Sequence, residues 1–242
     1  IAPDRTLEKL YLQPIAKAVD KNHGSIFSDK SRVMTLLVDL KTGYQNTLPA
    51  LVKSLKPYES LLAPKGSVRV VVSGNTPAPE LFAQYPAFIY FDGRPEQTYT
   101  AEQAARLGMI SQDFHRFSQW NGKGIPVAKD REALESVLAK AHALNKPFRF
   151  WASPDNINAW KVLMNLGVDY INTDHVAELG VFLHNRKNAE YQSTQFHQPY
   201  QPAYRNNDAM GKVKNIILLI GDGMGLAQIY SGLTANKNQL NL

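Results

Sequence analysis

Carboxylates paired with cations stand at several points where an apolar run ends. Asp39 and Lys41 are one residue apart at the end of MTLLVDL, residues 34–40. Asp92 and Arg94 repeat the pattern after AFIYFD, and Trp151 closes a short aromatic run near residue 150. Asp222 sits between glycines in NIILLIGDGMG, residues 215–225, where an apolar run enters a turn. Carboxylate oxygens suit hard cations, and Lys or Arg neutralises phosphate charge. Such pairs therefore suit phosphoryl chemistry. The plain alternative for Asp39 and Lys41 is a structural ion pair. Of the six histidines, only His115 and His175 fall near expected strand ends, and a structural or surface role is expected for each.

The elements that must position these residues alternate. Apolar runs at 34–40, 68–73, 87–92, 108–113, 148–152 and 168–173 predict six strands. Helices are expected over 46–62, 79–85, 101–107 and 130–145, the last with Asp130 as N-cap. Ser153-Pro154 predicts another helix start, with Ile157, Trp160, Leu163 and Met164 on its buried stripe and Gly167 ending it. A helix over 6–21, broken at Pro14, precedes the first strand. The alternation implies a parallel sheet with right-handed crossovers. Six strands fit an open doubly wound sheet, and equally an eight-stranded barrel lacking its first two. In both, polar residues at strand carboxyl ends form the ligand edge.

Residues 184–214 are polar, rich in Gln, Asn and Pro, and without a sustained period; they read as a linker. Tyr191, Phe196, Tyr200 and Tyr204 are spaced so that they could dock on a domain surface.

Composition narrows the classes. Hydrophobic residues are 44% and charged residues 20% of 242, an ordinary soluble balance. The net charge of +6 is scattered, without a basic run or aromatic interleaving, so it reads as a solvated surface and not a nucleic-acid face. No apolar run is long enough for a transmembrane segment. With no cysteine, disulfides and thiolate metal sites are excluded. The chain begins at Ile1 with neither Met nor signal peptide, as expected of a processed or truncated terminus.

Residues 147–175, PFRFWASPDNINAWKVLMNLGVDYINTDH, resemble the end of the glycerophosphodiester phosphodiesterase barrel: a strand ending in Trp, a helix, Leu-Gly-Val-Asp, then a strand ending in Thr-Asp. LLVDLKTG, residues 36–43, resembles that family's third strand, with Asp39 where the family usually has Glu, and Lys41. The resemblance covers about residues 5–183 and looks closest to the branch related to phosphatidylinositol-specific phospholipase C. It implies a TIM-type (β/α)8 barrel lacking its first two strands, which in the family carry a histidine pair and a Glu-x-Asp pair. Lys41 becomes the candidate catalytic residue, Trp151 a candidate substrate-binding residue, and Asp39 a candidate ligand for Ca²⁺ or Mg²⁺; Arg94 is a candidate substrate-binding residue by its charge and place beside Asp92, apart from the resemblance.

Residues 214–226, KNIILLIGDGMGL, resemble the first strand of the alkaline phosphatase fold. A dinucleotide turn is the rival, but the spacing is G-x-G-x-G and an acid inside it would repel a pyrophosphate. The resemblance implies a site of two zinc ions and one magnesium ion, with Asp222 as a metal ligand. The expected organisation is a phosphodiesterase-like barrel over 1–183, a linker over 184–211 and the start of an alkaline-phosphatase-like domain over 212–242. The expected partner is a phosphate ester, the expected setting periplasmic or extracellular. The isolated 242 residues are expected to lack phosphatase activity and to be poorly stable. A ligand-binding or scaffold barrel is the alternative for the first part.

Overall fold

The β-branched run Val68–Val72 has no helical stripe and every reason to be a strand covered on both sides. In the computed structural model it is strand β2 (Val68–Gly74), second in a five-stranded parallel sheet ordered β1-β2-β3-β4-β5. The others are β1 (Met34–Leu40), β3 (Ile89–Gly93), β4 (Leu107–Asp113) and β5 (Phe148–Trp151). The structure describes residues 4–189, 194–201, 215 and 217–240. These fall into two units, Ile1–Phe182 and Leu183–Leu242.

The first unit holds the sheet. Its helices are α1 (Gln13–Lys21), α2 (Tyr44–Leu55), α3 (Ala101–Ala105), α4 (Ala128–Ala143), α5 (Ile157–Asn165) and the start of α6 (Val176–Ala189). Alternation of side chains sorts each strand onto two faces. Val68, Val70, Val72, Ile89, Phe91, Phe148 and Phe150 join the buried core with Leu48, Leu55, Leu134 and Leu138 of the helices. The opposite face is concave, because the sheet curls into a half-barrel compatible with a TIM-like barrel. It carries the alternate residues, among them Thr35, Arg69, Ser73, Asp92 and Ser111. Gly108 is required there: a Cβ would lie 2.3 Å from Val71 Cγ2 and 3.1 Å from Tyr90 Cβ. Thr35 on β1 reaches across to Tyr170, 2.9 Å from oxygen to oxygen.

The expected sixth strand is reduced to one bridge, Arg149 with Tyr170. Side chains take up the hydrogen bonds a ladder would have made. Asp169 Oδ2 accepts the Phe148 N–H at 2.8 Å, and the Asn172 carboxamide is held by Arg149. The helix expected from Ser153-Pro154 begins at Ile157, capped by Asn156, whose side chain accepts the Ala159 N–H at 3.0 Å. Asp155 is committed elsewhere, to Trp160 Nε1 and the Asp174 N–H, which holds that segment outside the helix. Val127, not Asp130, precedes α4; Asp130 lies in the first turn and accepts from Ser118 Oγ at 2.7 Å. The helix expected over 46–62 is α-helical only to Leu55 and tightens to a 3₁₀ helix over Lys56–Leu61. Pro14 does not break the first helix. A π-helical turn, Glu8–Leu12, runs directly into α1, and its wider backbone ring lets the helical run continue past Pro14.

The second unit contains the end of α6 and helix α7 (Leu226–Ala235). Helix α6 runs to Ala189, so the stretch read as a linker from 184 begins helical. Lys237 lies over the Phe196 ring at 4.0 Å, while Tyr191 and Tyr204 are outside the described residues. Of the apolar run expected as a strand, Ile216 is outside them too. Ile217, Leu218, Leu219 and Ile220 are not in a strand and are 77% to 89% exposed. A strand needs a partner ladder, and none of the described residues pairs with this run.

Candidate functional site

The carboxyl end of the concave face is built around one buried carboxylate. The register between β3 and β4 shifts at Phe91/Asp92. Such an irregularity re-aims a side chain, and Asp92, with its side chain fully shielded, points into the space between β2 and β4. Its Oδ2 accepts from Ser73 Oγ of β2 at 2.6 Å, from Ser111 Oγ of β4 at 2.5 Å and from Arg94 Nη1 at 2.9 Å. Its Oδ1 is buried without a partner among the described residues.

Arg94 is fixed from several sides. Nη1 also donates to the Gly93 carbonyl at 2.9 Å. The Arg94 backbone N–H donates to Tyr99 Oη at 2.7 Å, and that hydroxyl donates to Gln97 Oε1 at 2.6 Å. Burial pushes the Tyr99 phenol above its ordinary value, so it stays a neutral hydroxyl. All guanidinium bonds that Arg94 makes with described residues run through Nη1. Nε and Nη2 are left for a ligand on a side chain 31% exposed.

A second guanidinium faces the same carboxylate. Arg149 on β5 donates through Nε and Nη2 to Asn172 Oδ1, at 3.1 and 2.5 Å. Burial lowers its pKa; the negative charges of Asp92 and then Asp39 oppose this, and the Arg94 charge adds to it. Trp151 ends β5 with 38% of its surface exposed.

Asp39 and Lys41 form an ion pair of 2.6 Å at the end of β1, with side-chain exposures of 47% and 83%. Asp39 Oδ1 lies over Gly74: a Cβ there would be 2.2 Å from it, and the residue has φ +78, so only glycine fits. The fold thus brings Arg94 together with Asp92, and Asp39 with Lys41. Asp222 stands in the other unit, exposed on the turn where Gly223 has φ +70.

Sequence reasoning missed Ser111, Arg149 and Asn172 as members of this cluster. Arg149 is one residue before Trp151, and its place on the concave face follows from strand alternation. Ser111 offered no signal, because its role depends on the shifted register.

Ca²⁺ binds six to eight oxygen ligands, and Mg²⁺ demands octahedral geometry. One Asp39 oxygen is taken by Lys41 and the other is pressed against Gly74. Among the described residues no group of three or more His, Cys, Asp or Glu could hold a metal ion, around Asp39 or Asp222. These residues alone do not fit a Ca²⁺, Mg²⁺ or Zn²⁺ centre. The polar donors present fit an anion better: two partly exposed guanidiniums with spare N–H groups at the strand ends.

One family model matches. It is described as the glycerophosphoryl diester phosphodiesterase family and covers residues 147–177. The match supports a glycerophosphodiester phosphodiesterase-like domain. It spans β5, α5 and the bridge segment, and so includes Arg149, Trp151 and Asn172. No curated protein and no solved structure matches the chain. No helix among the described residues is long and apolar enough to cross a membrane.

Proposed function

We propose that the chain is part of a phosphoric ester hydrolase, with a diester-directed half-barrel as its first unit. The observation that carries this reading is the convergence of the matched segment 147–177 with the Asp92–Arg94 cluster at one sheet end. Arg94 and Arg149 hold the phosphoryl oxygens, which is the electrostatic part of phosphodiester cleavage. Asp92 and Asn172 keep the two guanidiniums in place, and Trp151 and Lys41 stand at the ends of β5 and β1.

The finer reading makes residues 212–242 the start of an alkaline-phosphatase-like unit that removes phosphate from the monoester the first unit releases. The Gly-Asp-Gly-Met-Gly turn, followed directly by α7, favours it. An exported protein with zinc and magnesium in that unit goes with the same resemblance.

The test is hydrolysis of a glycerophosphodiester by the native polypeptide. Arg94→Ala and Arg149→Ala should each lower kcat/KM at least about tenfold, roughly 1.4 kcal/mol of transition-state stabilisation. Unchanged turnover in both variants would sink the site assignment. For the second unit, Zn²⁺-dependent turnover of p-nitrophenyl phosphate should vanish in Asp222→Ala; persistence would refute it.

A ligand-binding barrel is the second reading. It is favoured by one observation: the Asp39 and Asp92 carboxylates at the sheet end are already engaged by cations, Asp39 by Lys41 and Asp92 by Arg94. A proton-transferring carboxylate would need freedom that these lack. Diester binding without turnover in the native polypeptide would select this reading.

A further inference from the structure

Arg149 is gripped at both ends. Its backbone lies in β5, in register with Ser111 of β4. Its guanidinium donates through Nε and Nη2 to Asn172 Oδ1, at 3.1 and 2.5 Å. The two grips belong to one closed circuit of chain and hydrogen bonds. The circuit leaves β5 after Trp151 and turns at Ala152, whose φ of +54 is in the left-handed region. It reaches Asp155 and crosses from the Asp174 N–H to Asp155 Oδ2 at 2.8 Å. From there it runs back along the chain to Asn172 and so to the Arg149 guanidinium. The other Asp155 oxygen, Oδ1, accepts the Trp160 Nε1–H at 2.7 Å. Trp160 is a buried residue of α5, so this bond ties the circuit to the packed interior.

Helix capping does not account for Asp155. Asn156 already caps α5 through the Ala159 N–H at 3.0 Å, and the two Asp155 oxygens turn to Trp160 and to the return segment. The residue must accept on both sides. A carboxylate has two acceptor oxygens; a carboxamide has one and would set its NH₂ against the other donor. Burial pushes the Asp155 pKa up, but hydrogen bonds from Asp174, Thr173 and Trp160 and the His175 charge outweigh it and hold the carboxyl below its ordinary value. A left-handed alanine is strained, and such strain persists where its surroundings over-determine it. The Asp155 bonds fix the far side of that turn.

We propose that Asp155 is a positioning residue for the anion site: it fixes the end of β5 against residues 172–174 and thereby aims the Arg149 guanidinium through Asn172. Two donors on one Asn172 oxygen set the plane of the guanidinium, so a shift of Asn172 turns Nη1 with it. Asp155 acts through Arg149 and not on the substrate. Its effect on catalysis rests on the reading of Arg149 as a phosphoryl-binding group; its effect on Arg149 geometry does not.

The test is Asp155→Asn, read first without substrate. By NMR the Arg149 Nε–H should exchange slowly with solvent in the unmutated chain and at least about tenfold faster in Asp155→Asn. Asn158→Ala, which loosens a different clamp on α5, should leave that exchange within about twofold. Unchanged exchange in Asp155→Asn overturns the proposal. If that variant does not fold, the unmutated chain decides: the Asp174 N–H and Arg149 Nε–H should open to exchange together as urea is raised, and separate opening overturns it. The second readout is glycerophosphodiester turnover in a double-mutant cycle. Asp155→Asn should lower kcat/KM roughly fivefold alone and less than about twofold in the Arg149→Ala background. An equal cost in both backgrounds is a general loss of structure and overturns the positioning role. Absence of turnover in the native polypeptide, with the exchange effect present, refutes the hydrolase reading alone.

Discussion

Replacing Asp92 by Asn removes one charge and keeps the shape. Three donors converge on Asp92 Oδ2, from Ser73, Ser111 and Arg94. Hydrogen bonds to a charged group contribute about 1.5–3 kcal/mol each. They share one oxygen and are not additive. Removing one partner of a buried ion pair costs about 3–5 kcal/mol. Here Arg94 is 31% exposed and can recruit water, which moves the value to the lower end. The Asn NH₂ would also occupy the place of Oδ1, where none of the described residues offers an acceptor. The expected loss is about 3 kcal/mol, a fall of about 1.5 M in the urea midpoint for a slope of about 2 kcal/mol per M. The three tryptophans, Trp120, Trp151 and Trp160, all lie in the first unit, so their fluorescence follows that unit alone. The decisive comparison adds Arg94→Met and the double variant. A coupling of at least about 1 kcal/mol is expected for residues in contact. A midpoint shift under about 0.3 M, or zero coupling, would refute the carboxylate as the organising group of the site.

Three further outcomes test other parts of the fold. Gly108→Ala forces a methyl to within 2.3 Å of Val71 Cγ2 and should cost about 1–3 kcal/mol in a thermal melt; an unchanged melting temperature would mean the sheet does not curl as described. Asn158→Ala removes the clamp of Nδ2 on the Gly122 and Gly124 carbonyls, 2.8 and 2.7 Å, and should speed tryptic cleavage after Lys123. The Glu59 carboxyl is held down to about 2 by hydrogen bonds from Lys56 and Lys65. Its folded pKa is below the unfolded value of 4.5, so its contribution is present above that value and fades as pH falls towards about 2. An NMR titration should find that low midpoint in the native chain and a rise towards 4.5 in the Lys56→Met, Lys65→Met double variant.

Five strands were legible because each is a short apolar run bounded by polar residues, and burial on both faces is what such runs are for. The run 168–173 has the same look, yet Asp169 and Asn172 spend their side chains on Phe148 and Arg149, and only Tyr170 bridges. Pattern cannot reveal that competition, since it is settled by a neighbour twenty residues away. Asp92 and Arg94 were visible as a strand-end pair, whereas Ser111 depended on the register shift at Phe91/Asp92, a property of two strands and not of one. Asp39 and Lys41 were read both as site residues and as a plain ion pair, and the structure has them 2.6 Å apart. The resemblance at the Asp222 turn drew on a local string, and a local string carries no information about what the run 217–220 packs against.

At the carboxyl end of the concave face, internal charge pairing decides which polar groups remain open to a ligand. There Asp39 has Lys41 and Asp92 has Arg94, each within 3 Å, while Asp113 at the end of β4 accepts the His115 N–H. Arg149 has no carboxylate within ion-pair distance among the described residues, and Arg94 still offers unused N–H groups. Guanidinium N–H groups left over from the internal pairing are the part of this end that suits an anion.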